Sequence, residues 1–186
     1  PAMYNLCLLQ ADFATHDLGS WRIGGYGGAP MPEATIARLA KEMPGLQLIN
    51  AYGATETTSP STLLPGSYAA THSESVGFAC PGARILAMDE EGRECPPGEI
   101  GELWIHGGSV VKGYWNDRAA TAGNFIAGFW RSGDLGSVDA QGFVRVFDRK
   151  KDMINRGGEK IYSAEVESVL AGHPDVLEAA VVARPC

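Results

Sequence analysis

Residues 50–56 read Asn50-Ala51-Tyr52-Gly53-Ala54-Thr55-Glu56, directly after the apolar run Leu46 to Ile49. The run has the length of a short buried strand. A strand that ends in a tight polar turn presents ligand-binding groups at its C-terminal edge. Each residue of the turn suits a nucleotide. The Tyr52 ring offers a flat face to a base, and Gly53 lets backbone approach a phosphate closely. The Thr55 hydroxyl can donate to a phosphate oxygen, and the Glu56 carboxylate is a hard oxygen ligand of the kind Mg2+ prefers. An ordinary strand-to-loop turn is the plain alternative for the same residues.

On the N-terminal side, Pro32 to Met43 predicts a helix. Pro32 suits its first position, and Ile36, Leu39, Ala40 and Met43 recur on one face. Pro44-Gly45 stops it. Trp21 to Gly25 predicts a short strand that enters the glycine turn Gly27-Gly28-Ala29-Pro30. Strand, helix and strand in that order are an α/β signature. Residues 1–20 show no clean period.

The pattern changes after about residue 75. Arg84 to Met88, Ile100 to His106 and Phe143 to Phe147 predict short strands. Asp89-Glu90-Glu91-Gly92 and Asp139-Ala140-Gln141-Gly142 are turn-rich and suit hairpins. Together they predict a small antiparallel β subdomain. Ser163 to Ala171 predicts a helix with Ser163 as N-cap and Val166, Val169 and Leu170 as its apolar face. Val176 to Ala183 predicts a final strand. The expected organisation is mixed α/β in three parts: an α/β portion over 1–75, an antiparallel β subdomain over 76–150, and a helix–strand portion over 151–186.

The 186 residues carry a net charge of −7, which argues against a nucleic-acid partner held by phosphate contacts. Cys7, Cys80, Cys95 and Cys186 form no CxxC pair, and the four His residues form no HExxH, so the spacing supports no zinc site. Thiols in a reducing cytoplasm are the plain reading. No apolar run approaches the roughly 18 residues of a membrane span. There is no GxGxxG, and no GxxxxGK[ST] phosphate loop. Ser109 lacks the glycine that would complete a nucleophile elbow.

Further motifs follow in order. Gly101-Glu102-Leu103 runs to Gly113-Tyr114-Trp115; then come Arg131-Ser132-Gly133-Asp134, Asp148-Arg149-Lys150-Lys151-Asp152 and Gly157-Gly158-Glu159-Lys160. Asp134, when ionised, only accepts hydrogen bonds, and its two oxygens match two vicinal ribose hydroxyls. An Asx turn is the alternative. Arg149 presents a planar fork of donors suited to hydroxyl and phosphate oxygens, or else is a solvated charge in a basic run.

The ordered set, over roughly residues 20–185, resembles the adenylate-forming superfamily of acyl-CoA synthetases, adenylation domains and luciferases. Gly157-Gly158-Glu159-Lys160 leans toward the acyl-CoA synthetase branch. The resemblance implies that Tyr52 packs on adenine, Asn50 bonds its polar edge, and Gly27, Gly28, Ala29 and Pro30 wall the adenine pocket, with Gly53 also among the nucleotide-binding residues. It implies that Thr55 meets the α-phosphate, Glu56 helps hold Mg2+, and Asp134 and Arg149 hold the ribose. Lys151 falls at the family's hinge. Gly157, Gly158 and Glu159 fall where a pantetheine arm would pass, with a simple turn as the alternative. The implied partners are ATP, AMP, Mg2+, coenzyme A and a carboxylic acid whose identity the sequence leaves open. In that family a phosphate-gripping loop lies before the stretch matched by residue 1 and a catalytic Lys beyond that matched by Cys186, so the resemblance implies an internal piece of a longer synthetase: the end of the large α/β nucleotide-binding domain over 1–75, the β subdomain with the ribose contacts over 76–150, and the start of the small mobile C-terminal domain over 151–186. Two rival expectations are an adenylation domain that loads a carrier protein and a non-catalytic nucleotide-binding module.

Overall fold

The computed structural model describes residues 1–29, 31–69, 71–173, 175–176 and 179–184. It begins with helix α1 (Ala2–Leu8), which the sequence pattern did not disclose. Strand β1 (Ile23–Gly27), helix α2 (Glu33–Glu42) and strand β2 (Gln47–Tyr52) follow. The two strands are parallel neighbours, with Tyr26 opposite Asn50 and Gly27 opposite Ala51. Strands β3 (Thr62–Leu64) and β4 (Phe78–Ala79) extend this sheet in antiparallel fashion, in the order β1-β2-β3-β4.

The predicted helix over 32–43 is present, but Pro32 precedes its first residue and accepts the amides of Thr35 and Ile36. Leu39 and Met43 are buried. Leu39 packs with Leu8, Tyr26, Met31 and Leu48 in one cluster, so α1 and α2 share the apolar face of β1 and β2. The predicted strand over 46–49 runs three residues further, through Tyr52. Its ladder to β1 continues through Ala51 and its ladder to β3 through Tyr52. Asn50 and Tyr52 are therefore held by a sheet, not by a loop.

The second sheet is antiparallel. Strands β5 (Ala83–Met88) and β6 (Gly101–Gly107), helix α3 (Arg118–Asn124), and strands β7 (Phe125–Ile126), β8 (Phe129–Val138) and β9 (Val144–Arg149) follow in sequence. The order is β5-β6-β8-β7, with β9 paired to β8. Period-two alternation places Ile85 and Ala87, and Leu103 and Ile105, on one face with Trp130 and Val144. Leu103 and Ile105 are fully buried, and each such side chain contributes roughly 1.5–3 kcal/mol. The Asp139–Gly142 turn closes β8 and β9 as expected, with Asp139 Oδ1 accepting the amides of Gln141 and Phe143.

The two sheets are joined. The Ser75 hydroxyl donates to the Val144 carbonyl at 2.7 Å, and the Phe78 and Phe143 rings meet at 4.3 Å. This join brings the end of β2 against β8.

The hairpin of β10 (Ile154–Arg156) and β11 (Glu159–Ile161) and helix α4 (Ser163–Ala171) complete the described elements. Ser163 is the first residue of α4, not its cap. Its amide and hydroxyl both donate to Asp148 Oδ2, at 2.6 and 2.7 Å. The expected apolar face of α4 is exposed, Val169 at 75%. Of the strand expected over 176–183, the described residues carry no strand, and residues 177 and 178 lie outside the described residues. Among the described residues no helix is long and apolar enough to cross a membrane.

Candidate nucleotide site

The last residue of β2 places the Tyr52 hydroxyl 2.6 Å from Asp134 Oδ2 in β8, to which it donates. Asp134 stands opposite Arg149 in the β8–β9 ladder, and the Arg149 Nε lies 3.1 Å from Asp134 Oδ1. The guanidinium also donates to the Ser132 carbonyl at 3.2 Å. Burial raises the Asp134 pKa; the Tyr52 hydrogen bond and Arg149 oppose the rise, while the charge of Glu102 adds to it. Burial, and then the carboxylate of Asp134, push the Tyr52 phenol far up. Tyr52 therefore stays a neutral donor. Both Asp134 oxygens have a protein partner, and each keeps a second lone pair for a ligand hydroxyl.

The remaining residues of the strand end are set by packing. The Asn50 amide donates to the Ser75 carbonyl at 3.3 Å, so its NH2 already has a protein acceptor. Gly27 is required by close approach, because a Cβ there would collide with the Ala51 carbonyl. Gly53 is equally confined, since its Cβ would sit 2.9 Å from Ser59 Oγ and from the Ser61 amide. Gly28 and Ala29 continue the turn after β1, and Pro30 lies outside the described residues.

Thr55 and Glu56 stand on one 3-10 turn, Thr55–Thr57. Thr55 is exposed, and Glu56 is half-buried with Oε1 accepting from the Tyr114 hydroxyl at 2.9 Å. Glu56, Tyr114, Trp130, Ser132, Arg149 and Glu102 line one cleft of about 330 Å³. The structure thus brings Tyr52, Asp134 and Arg149 into contact and sets Glu56 and Arg149 on one cleft. Among the described residues no three His, Cys, Asp or Glu cluster as a metal cage. One carboxylate with open surroundings is the protein share that Mg2+ needs when substrate phosphates supply other oxygens. Glu56 fits that role.

Glu102 and Tyr114 were quoted in motifs without a role, and the contacts of both are long-range. Glu102, its side chain 8% exposed, accepts from Arg131 Nη2 at 2.9 Å and from Lys150 Nζ at 3.3 Å. Burial pushes its pKa up, but the Arg131 hydrogen bond and the charges of Lys150 and Arg131 outweigh it, and the net shift is downward. A carboxyl with a lowered folded pKa binds fewer protons when folded. Its stability contribution is complete above the unfolded value of about 4.3 and is lost as pH falls through the lower folded value. Denaturant unfolding of wild type and Glu102→Gln is therefore expected to differ most at neutral pH and to converge on acidification below pH 4. A constant gap would contradict this coupling.

Lys151 lies exposed in the turn between β9 and β10, and Gly157, Gly158 and Glu159 lie in the exposed β10–β11 hairpin; none of them lines the cleft. Gly157 and Gly158 have φ of 64° and 99°, the positive pair of a two-residue type I′ turn. The glycines thus have a backbone reason to be there. A left-handed residue with a Cβ costs roughly 1–2 kcal/mol. Gly157→Ala is expected to speed hydrogen exchange at the hairpin amides by about tenfold, and unchanged protection would contradict the turn geometry.

Comparison with known proteins bears on the family and the fold. The AMP-binding enzyme family matches residues 1–115. Indoleacetate–CoA ligase of Aromatoleum aromaticum is 35% identical over 184 residues, covering 99% of this chain and 36% of that protein. A fatty acid–[acyl-carrier-protein] ligase of Streptomyces coeruleorubidus is 36% identical over 191 residues, covering 100% of this chain and 36% of that protein. The o-succinylbenzoate CoA synthetase of Bacillus subtilis, solved with its acyl-adenylate intermediate, superposes with a TM-score of 0.89 at 34% identity, over 100% of this chain and 37% of that one. The same enzyme solved with ATP and magnesium gives 0.86 at 35% identity, over 97% and 37%. The chain belongs to the AMP-binding enzyme family, and its mixed α/β fold is that of the adenylate-forming enzymes. It spans little more than a third of the length of these relatives.

Proposed function

We propose that this chain carries the nucleotide-holding part of an AMP-forming acyl-CoA synthetase. The observation that carries the reading is the Tyr52–Asp134–Arg149 contact set, whose Arg149 lines one cleft with Glu56. The reaction has two halves. A carboxylate oxygen attacks the α-phosphorus of ATP and expels pyrophosphate, giving an acyl-adenylate. A thiol then attacks the acyl carbon and expels AMP. The protein's share is to position the reactants and to meet developing charge.

In this reading Asp134 accepts from the ribose hydroxyls, and Arg149, bound to it, completes that grip. Tyr52 fixes the Asp134 carboxylate through its hydroxyl and offers its ring to adenine. Asn50 and the turn of Gly27, Gly28, Ala29 and Pro30 wall the base, and Gly53 lets backbone approach the phosphates. Thr55, exposed at the mouth of the turn, donates to the α-phosphate. Glu56 holds Mg2+, which when bound shields the triphosphate from the incoming carboxylate. Lys151 serves as the hinge between a unit spanning 76–150 and one spanning 151–186, with 1–75 as the third. Gly157, Gly158 and Glu159 border the path of the CoA arm. The free thiols Cys7, Cys80 and Cys95 suit a cytoplasmic setting.

A second reading, loading of a carrier protein, is favoured by the carrier-protein ligase among the relatives. Thioester formation with free CoA, measured in the whole protein after adenylation of a panel of carboxylic acids, separates the two. CoA thioester at steady turnover supports the first. Adenylate that turns over only on an acyl-carrier protein supports the second.

A further inference from the structure

We propose that Tyr114 is a positioning residue for Glu56, which it holds in place without neutralising it. The inference rests on the reading of Glu56 as the carboxylate that meets the metal and phosphate. Glu56 stands on a single 3-10 turn, too short to order a side chain with three rotatable bonds. The side-chain hydrogen bond it makes among the described residues comes from Tyr114, 58 residues away, at 2.9 Å.

Tyr114 is itself fixed from several sides. Its amide donates to Thr121 Oγ1 at 2.9 Å, and that hydroxyl donates to the Asp117 carbonyl at 2.7 Å. Its ring meets Phe125 edge-on at 5.5 Å. The Trp130 indole N–H donates to the Tyr114 hydroxyl at 3.4 Å. An indole N–H can only donate, so the phenol oxygen accepts on that side, and its one proton is left for Glu56. The backbone follows the same path. The Val111 amide donates to the Glu56 carbonyl at 2.8 Å, and the Thr58 hydroxyl donates to the Ser109 carbonyl at 2.7 Å. The segment after β6 thus grips the 54–59 turn at three points.

The donor's chemistry matters. A Lys or Arg at this place would cancel the negative charge that attracts a cation. A phenol restricts the carboxylate and leaves the charge intact.

The test is Tyr114→Phe in the whole protein, which keeps the ring and removes the proton. Losing a hydrogen bond to a charged group corresponds to about tenfold or more in an equilibrium constant. Calorimetric binding of ATP with Mg2+ is expected to weaken by about tenfold, while binding of AMP without metal stays within about twofold and the unfolding temperature is unchanged. The KM for Mg-ATP should rise more than kcat falls. Wild-type affinity for Mg-ATP in the variant would overturn the inference. Equal loss for AMP would overturn it too, because the role would then be general support of the turn. If the wild-type protein binds no Mg-ATP, the reading of Glu56 fails first and this inference with it.

Discussion

Lys151→Pro in the whole protein is expected to leave adenylate formation intact and to lower thioester formation by orders of magnitude. Lys151 follows directly on Arg149 and Lys150, which are anchored: the Lys150 amide donates to the Gly133 carbonyl at 2.7 Å, and its ammonium pairs with Glu102. The next two amides, of Asp152 and Met153, both donate to the Arg149 carbonyl at 3.0 Å. Among the described residues the Lys151 amide donates no hydrogen bond, so a proline there removes no donor in use. What it removes is freedom. Proline fixes φ near −65° and confines the preceding residue as well. A swing between two domain orientations needs large φ/ψ changes at a few residues. The half-reactions are measured separately, by pyrophosphate exchange and by attack of CoA on preformed acyl-adenylate. Equal loss in both would mean a fold defect, and no loss in the second would place the hinge elsewhere.

Asp134→Ala is expected to cost more than a ribose contact alone. Losing a hydrogen bond to a charged group costs roughly 1.5–3 kcal/mol, or about tenfold to a hundredfold in ATP use. The same truncation leaves the Tyr52 hydroxyl without its acceptor and Arg149 without its carboxylate, though Arg149 keeps the Ser132 carbonyl. A buried donor left unpaired costs a further 1–3 kcal/mol or so in stability. Tyr52→Phe separates the two effects. It removes the hydroxyl, keeps the carboxylate, and should weaken ATP use less than Asp134→Ala does. Acid preference should be the same in both variants. Normal ATP dependence in Asp134→Ala would contradict the assignment of the ribose to this carboxylate.

Much of this arrangement was legible in the residues, and what was not has a physical reason. The helix expected over 32–43 and the strand expected over 46–49 follow from short-range apolar spacing, and the turn after β8 from Asp139 and Gly142; the strand's extension to Tyr52 comes from its ladder to β3. Strand β8 was not legible as a strand. Its Ser132, Asp134 and Ser137 look solvent-facing, yet all three are buried, Asp134 because Tyr52 from 82 residues away supplies its donor. The Tyr114–Glu56 and Glu102–Lys150 contacts join residues 58 and 48 apart, a separation that no local period encodes. Ser163 has the chemistry of a cap, but Asp148, brought close by β9, takes both of its donors and draws it into the helix. The motifs named the candidate residues, while the contacts that fix their side chains became visible only in three dimensions.

The central claim is that the cleft beside Tyr52, Glu56, Asp134 and Arg149 serves carboxylate activation. Exchange of radiolabelled pyrophosphate into ATP, run in the whole protein against a panel of carboxylic acids, tests it most directly. The account predicts exchange that requires both Mg2+ and one class of acid and that falls by about tenfold to a hundredfold in Asp134→Ala. Tight ATP binding with no acid-dependent exchange across the panel would contradict it and would mark the protein as a nucleotide-binding module without this chemistry.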